Sequence, residues 1–132
     1  MREFKLEVVT PDGTEFSGNA ESLLVRTDNG DVEILAGHVD YIASLGSGRA
    51  RIKADGKELT AASSGGFLTC RGGEVKLAAI TFEFTDDIDL DRAKRAKQNA
   101  EDALKNARND KDLKLAKAKL QRAIARISAK MS

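Results

Sequence analysis

The stretch Thr85-Asp86-Asp87-Ile88-Asp89-Leu90-Asp91-Arg92-Ala93 decides the fold, because the chain changes character inside it. Up to Asp87, nine Lys/Arg stand against fifteen Asp/Glu, a net of −6; from Ile88 onward thirteen stand against six, a net of +7. The near-neutral total of +1 therefore hides an acidic first part and a basic second part. Hydrophobic rhythm changes at the same place. All 11 glycines and the one proline lie before it, where apolar residues tend to alternate with polar ones. After it, apolar residues recur every three or four positions. The pattern predicts an α+β protein: a β domain over 1–87 and a pair of helices over 88–132, a rigid anchor carrying a movable basic arm.

Working toward the N-terminus, Phe4, Leu6 and Val8 alternate with Lys5 and Glu7, the pattern of a half-buried strand. Pro11-Asp12-Gly13 is turn chemistry. Asn29-Gly30 and Asp55-Gly56 each join two alternating runs, which reads as a tight hairpin. Gly46 and Gly48 flank a bend, Gly65-Gly66 and Gly72-Gly73 bracket Phe67–Arg71, and Glu74–Phe84 closes the series. This spacing predicts an antiparallel sandwich or flattened barrel of roughly eight to ten strands. All six aromatic residues lie in this part, so the main core belongs there.

Working toward the C-terminus, an Asp of Thr85-Asp86-Asp87 is placed to cap a helix, with Asp89 and Asp91 in its first turn. Leu90, Ala93, Ala96, Ala100, Ala103, Leu104 and Ala107 form one helical stripe. Arg108–Asp112 interrupts it, and Leu113, Ala116, Leu120, Ala123, Ile124, Ile127 and Met131 form a second. Two helices of about 18 residues, each ~27 Å long, should pack antiparallel. Their seam is mostly alanine. A buried Leu or Ile contributes about 1.5–3 kcal/mol, while ordering each backbone residue costs ~1–2 kcal/mol. Such a hairpin is expected to be marginal alone and to depend on docking. Arg122 and Arg126 point away from the second stripe, so they read equally as a solvated face or as an anion site.

Several functions are excluded by composition. No apolar run is long enough to cross a bilayer, and the opening Met1-Arg2-Glu3-Phe4 carries no export signal. One cysteine, Cys70, fits a reducing compartment and reads as a small buried hydrophobe. With one histidine, His38, and one cysteine, a zinc or iron–sulfur site is not expected. No residue stands out as a nucleophile for His38 to activate. No aromatic residue interleaves the basic helices, so nucleic acid is not an expected partner. None of the glycine pairs is followed by Lys-Ser/Thr, so none reads as a phosphate loop.

The order of these elements resembles the epsilon subunit of bacterial F-type ATP synthase over essentially the whole chain. Val8-Val9-Thr10-Pro11-Asp12-Gly13 looks like the family's opening strand and turn, and Asn29–His38 resembles its Ile-Leu-Pro-Gly-His loop. Ser64-Gly65-Gly66-Phe67-Leu68 matches a family signature, and Ile88-Asp89-Leu90-Asp91-Arg92-Ala93 matches the start of its first helix. The resemblance implies a noncatalytic rotor subunit at the cytoplasmic face of the plasma membrane. Its sandwich would bind the gamma subunit and the c-ring, with Asp31 and His38 as subunit contacts. Its hairpin would lie down on the sandwich or extend toward the alpha and beta subunits, where it inhibits hydrolysis.

In some members, especially those of bacilli, the folded-down hairpin also binds ATP without hydrolysing it; the resemblance implies ATP as a regulatory ligand here and leaves open whether magnesium accompanies it. The resemblance carries that role onto Glu83, Ile88, Asp89, Arg92, Ala93, Arg122 and Arg126. The arginines would pair with phosphate oxygens, and Glu83 and Asp89 would accept hydrogen bonds from adenine or ribose. Two alternatives stay open: Asp89 and Arg92 as a cap and a surface pair, and an epsilon subunit without nucleotide sensing. Asn99 replaces a further arginine of that site, which is expected to weaken binding. Ala36 and Asp40 stand where prolines are common in the loop, and Glu33 replaces a small residue.

Overall fold

A computed structural model describes residues 2–131; Met1 and Ser132, the ends of the two expected domains, lie outside it. Among the described residues, ten strands form two five-stranded sheets. They are β1 (Phe4–Thr10), β2 (Gly13–Ala20), β3 (Ser22–Thr27), β4 (Gly30–Leu35), β5 (Tyr41–Ser44), β6 (Ser47–Ala54), β7 (Lys57–Ser64), β8 (Phe67–Arg71), β9 (Glu74–Ala78) and β10 (Thr81–Phe84). The first sheet runs β2-β1-β9-β8-β5 and the second β10-β7-β6-β3-β4. Both predicted hairpins form, β3–β4 across Asn29-Gly30 and β6–β7 across Asp55-Gly56.

Two features depart from the strand pattern read in the sequence. The run Glu74–Phe84 is two strands, not one: β9 lies in the first sheet and β10 in the second. β1 and β9 pair in parallel within an otherwise antiparallel architecture. Both follow from sandwich closure, in which the chain crosses between sheets and strands distant in sequence become neighbours. Leu6, Val8, Leu23, Val25, Ile34, Ile52, Leu68 and Leu77 fill the space between the sheets with no exposed surface to speak of. Burial pushes the Cys70 thiol above its ordinary pKa, with the Asp40 carboxylate adding to the effect.

A 3-10 turn (Thr85–Asp87) leads into α1 (Leu90–Lys105) and α2 (Asp110–Met131), of 16 and 22 residues. The cap of α1 is Asp89 itself, whose Oδ1 accepts from the Arg92 N–H at 3.1 Å; none of Thr85–Asp87 plays that part. Asn109 Oδ1 likewise accepts from the Asp112 N–H at 2.8 Å at the start of α2.

α1 packs on α2, and α2 alone packs broadly on β6 and β7. The second stripe is therefore rotated from its expected place. Ala116 and Ala123 are buried as expected, but Ile124 and Met131 are exposed, and Ala125 and Ala129 are buried in their stead. Ala125 and Ala129 join Ala62 of β7 and Ile88 in a small cluster of their own. Small side chains let the helix approach the sheet closely but bury little area. Ala62→Leu should lift the hairpin without unfolding the sandwich, because overpacking costs about 1–3 kcal/mol and α2 is the part that can yield. Amide hydrogen exchange along α2 is expected to accelerate at least about tenfold, with β1 and β9 unchanged; exchange that stays slow along α2 would refute this weak-docking account.

Candidate functional site

The described residues at the seam of sandwich and hairpin enclose a groove built from three directions. β10 brings Glu83, the turn brings Asp87 and Ile88, α1 brings Arg92, Ala93 and Ala96 behind its cap Asp89, and α2 brings Arg126. These side chains line a cavity of about 270 Å³. Six of the seven ATP-site residues read from the sequence thus meet in one place. The seventh, Arg122, lines the adjoining cavity of about 300 Å³ with Ala96, Asn99, Ala100, Ala103, Lys119 and Arg126. Ala96 and Arg126 line both, so the two cavities adjoin along the seam.

Helical periodicity explains the arrangement. Arg92, Ala96, Asn99 and Ala103 lie on one face of α1, and Lys119, Arg122 and Arg126 on one face of α2. The alanine stripe expected to be seam has two duties. Ala93 and Ala100 are buried against the neighbouring elements, whereas Ala96 and Ala103 are not fully buried and leave the groove its width. Sequence reasoning missed Asp87 and Lys119. Lys119 was legible as the residue three before Arg122 on its own face; Asp87 carried no signal.

Arg126 is not on a freely solvated face. Its Nε donates to Glu83 Oε1 at 2.7 Å, with both side chains about one-third exposed. That bond spends one guanidinium donor and leaves the terminal Nη donors for a ligand in the groove. Lys130 Nζ donates to the Thr85 carbonyl at 3.0 Å, a second polar tie between α2 and the turn. Asp89 gives Oδ1 to the helix cap, so one carboxylate oxygen remains for a ligand.

Asp31 lies in the first part of β4 and His38 beyond its far end, so the two are not brought together. Asp31 Oδ1 accepts from Arg26 Nε at 2.7 Å. His38 is exposed, donates from Nδ1 to the Val39 carbonyl at 2.6 Å, and meets Tyr41 edge-to-face at 5.7 Å. Leu35, Val39, Ile42 and Phe67 are large exposed apolar residues on β4, β5, β8 and the loop carrying His38.

Fold and groove define a β-sandwich module with a docked helical hairpin and a charged groove at their seam. The description ATP synthase, Delta/Epsilon chain, beta-sandwich domain matches residues 3–85, and its long alpha-helix domain matches residues 86–131. The ATP synthase epsilon chain of Bacillus velezensis is 41% identical over 127 residues, 96% of each chain. That of Bacillus pumilus is 40% identical over 128 residues, 97% of each. A chain of the Euglena gracilis mitochondrial ATP synthase structure (OSCP/F1/c-ring) shares the fold at 19% identity with a TM-score of 0.84, covering 98% of this chain and 82% of that one. The protein belongs to the ATP synthase epsilon-chain family, whose members are noncatalytic subunits of that complex.

Proposed function

We propose that this subunit couples gamma to the c-ring within the central stalk at the cytoplasmic membrane face, and that its hairpin restrains ATP hydrolysis when extended and holds ATP when docked. One observation carries the regulatory part. The groove is walled by β10, α1 and α2 together, so it exists only while the hairpin is folded on itself and on the sandwich. A ligand bound there stabilises the docked state in proportion to its preference for it. Falling ATP would then free an arm whose net charge of +7 draws it, in a salt-dependent way, toward acidic surfaces of the catalytic head. The exposed apolar residues around His38 supply the surface for gamma.

Calorimetric titration of the full chain with ATP, with and without magnesium, tests the nucleotide part. One site per chain is expected, with no hydrolysis of the bound ligand. Absence of binding in both would leave the second reading, a mechanically acting hairpin, which the use of Asp89 as a helix cap favours. The stalk part requires a stable complex with gamma in pull-down, and its absence would reject that role.

A further inference from the structure

We propose that Thr85 is the latch of the hairpin, held from the sheet by Thr60 and gripped from the last turn of α2 by Lys130. These three residues set how readily the arm lifts, with no nucleotide involved. The inference rests on the movable arm proposed above but assigns its release to a place outside the groove. The backbone ladder between β10 and β7 ends at Phe84 and Ala61. Thr85 and Thr60 are the next pair in that register, and their hydroxyls bond to each other instead. Beyond this pair the chain turns through Thr85–Asp87, buries Ile88 and enters α1. α2 then returns, and its last turn reaches the residue from which the hairpin springs: Lys130 Nζ donates to the Thr85 carbonyl.

Both acceptor positions of that carbonyl are filled. It takes the Ile88 N–H at 3.1 Å, which closes the 3-10 turn, and the Lys130 ammonium at 3.0 Å. Lifting α2 therefore removes a bond from the turn itself. The Glu83–Arg126 pair is a different kind of tie, since both its ends are side chains that can swing to follow a moving helix. A backbone carbonyl cannot follow. An ammonium in the last turn also meets the negative end of the α2 dipole, which favours its place there. α1 packs broadly on α2 and on no strand, so the hold on α2 is the hold on the whole hairpin. Apolar help is small, because the cluster joining the last turns of α2 to the sheet is three alanines and Ile88. Against that weak background one charge-assisted hydrogen bond is a large share of the docking.

Amide hydrogen exchange of the full chain without nucleotide tests this on Lys130→Met, Lys130→Arg and Thr60→Val. Lys130→Met keeps the apolar stem and loses the donor, and Thr60→Val keeps the shape of a strand-forming side chain, so neither should disturb the sandwich. Exchange along α2 should accelerate about three- to tenfold in Lys130→Met and about two- to fivefold in Thr60→Val, with β1 and β9 unchanged. Lys130→Arg, which can still donate, should stay within about twofold of the wild-type rate. Wild-type rates along α2 in either loss variant would overturn the latch while the movable arm stands. Equal acceleration of α2, β1 and β9 would also overturn it, by making these contacts part of global stability. Exchange of wild-type α2 as slow as that of β1 and β9 would remove the movable arm and the latch with it.

Discussion

Gly66→Ala should destabilise the sandwich more than any surface or groove substitution, by at least about 4 kcal/mol. Gly66 lies in the corner where the chain passes from β7 to β8, at a φ of +92° that side chains rarely adopt. A Cβ placed there would overlap the Ala78 carbonyl oxygen and come within 2.9 Å of its carbon and 3.0 Å of Ala79 Cα. These are backbone atoms at the point where β9 leaves for β10, and they have nowhere to go. The Ala79 N–H bonds the Val9 carbonyl at 3.0 Å and the Ile80 N–H bonds the Ser64 carbonyl at 3.1 Å, while Gly66 itself accepts from the Leu45 N–H at 2.9 Å. Three inter-sheet crossings are therefore locked together around one missing methyl. Thermal unfolding should shift down by more than about 12 °C. Gly65→Ala supplies the contrast. Its φ is +69°, and the added carbon would meet chiefly the Ile80 side chain, which can swing away. A cost near 1 kcal/mol is expected there. Equal melting points for the two variants would sink the backbone-clash argument.

Arg126→Ala should abolish the rise in melting temperature that ATP produces, while scarcely moving the melting point of the free protein. The two halves of this expectation have separate grounds. Its ion pair with Glu83 is partly solvated, and pairs of that kind contribute only about 0.2–1 kcal/mol. For the ligand, Arg126 is the cation that lines both adjoining cavities, and its Nη donors remain after Nε has bonded Glu83. At a ligand concentration of 100 times Kd, binding stabilises by about 2.7 kcal/mol. That corresponds to a shift of roughly 8–15 °C for a chain of this size, well above the resolution of the measurement. An unchanged ATP-induced shift in the variant would reject the assignment of Arg126. A large fall in the melting point without ATP would show instead that the arginine is a structural tie.

Much of this was readable from residue order. Phe4, Leu6 and Val8 alternate because only one face of β1 meets the core, and that period survives any detail of packing. Asn29-Gly30 and Asp55-Gly56 announce their hairpins because positive φ is a local demand. Glu83, Ile88, Asp89, Arg92, Ala93 and Arg126 were named from resemblance, and their common cavity is a tertiary fact. No spacing within the chain relates Glu83 to Arg126; their 2.7 Å bond closes a gap of 43 residues.

The sandwich, the hairpin that follows it and the opposed charges of the two parts were thus legible in the residues alone, since periodicity, turn chemistry and charge are local or additive properties. Three things awaited the folded chain: the parallel β1–β9 pairing, the rotation that buries Ala125 and Ala129 and exposes Ile124, and the split of the alanine stripe between seam and groove. Each depends on which surfaces meet. A methyl group on a helix fits equally well against a sheet, against another helix or beside an open cavity, and only docking chooses among them.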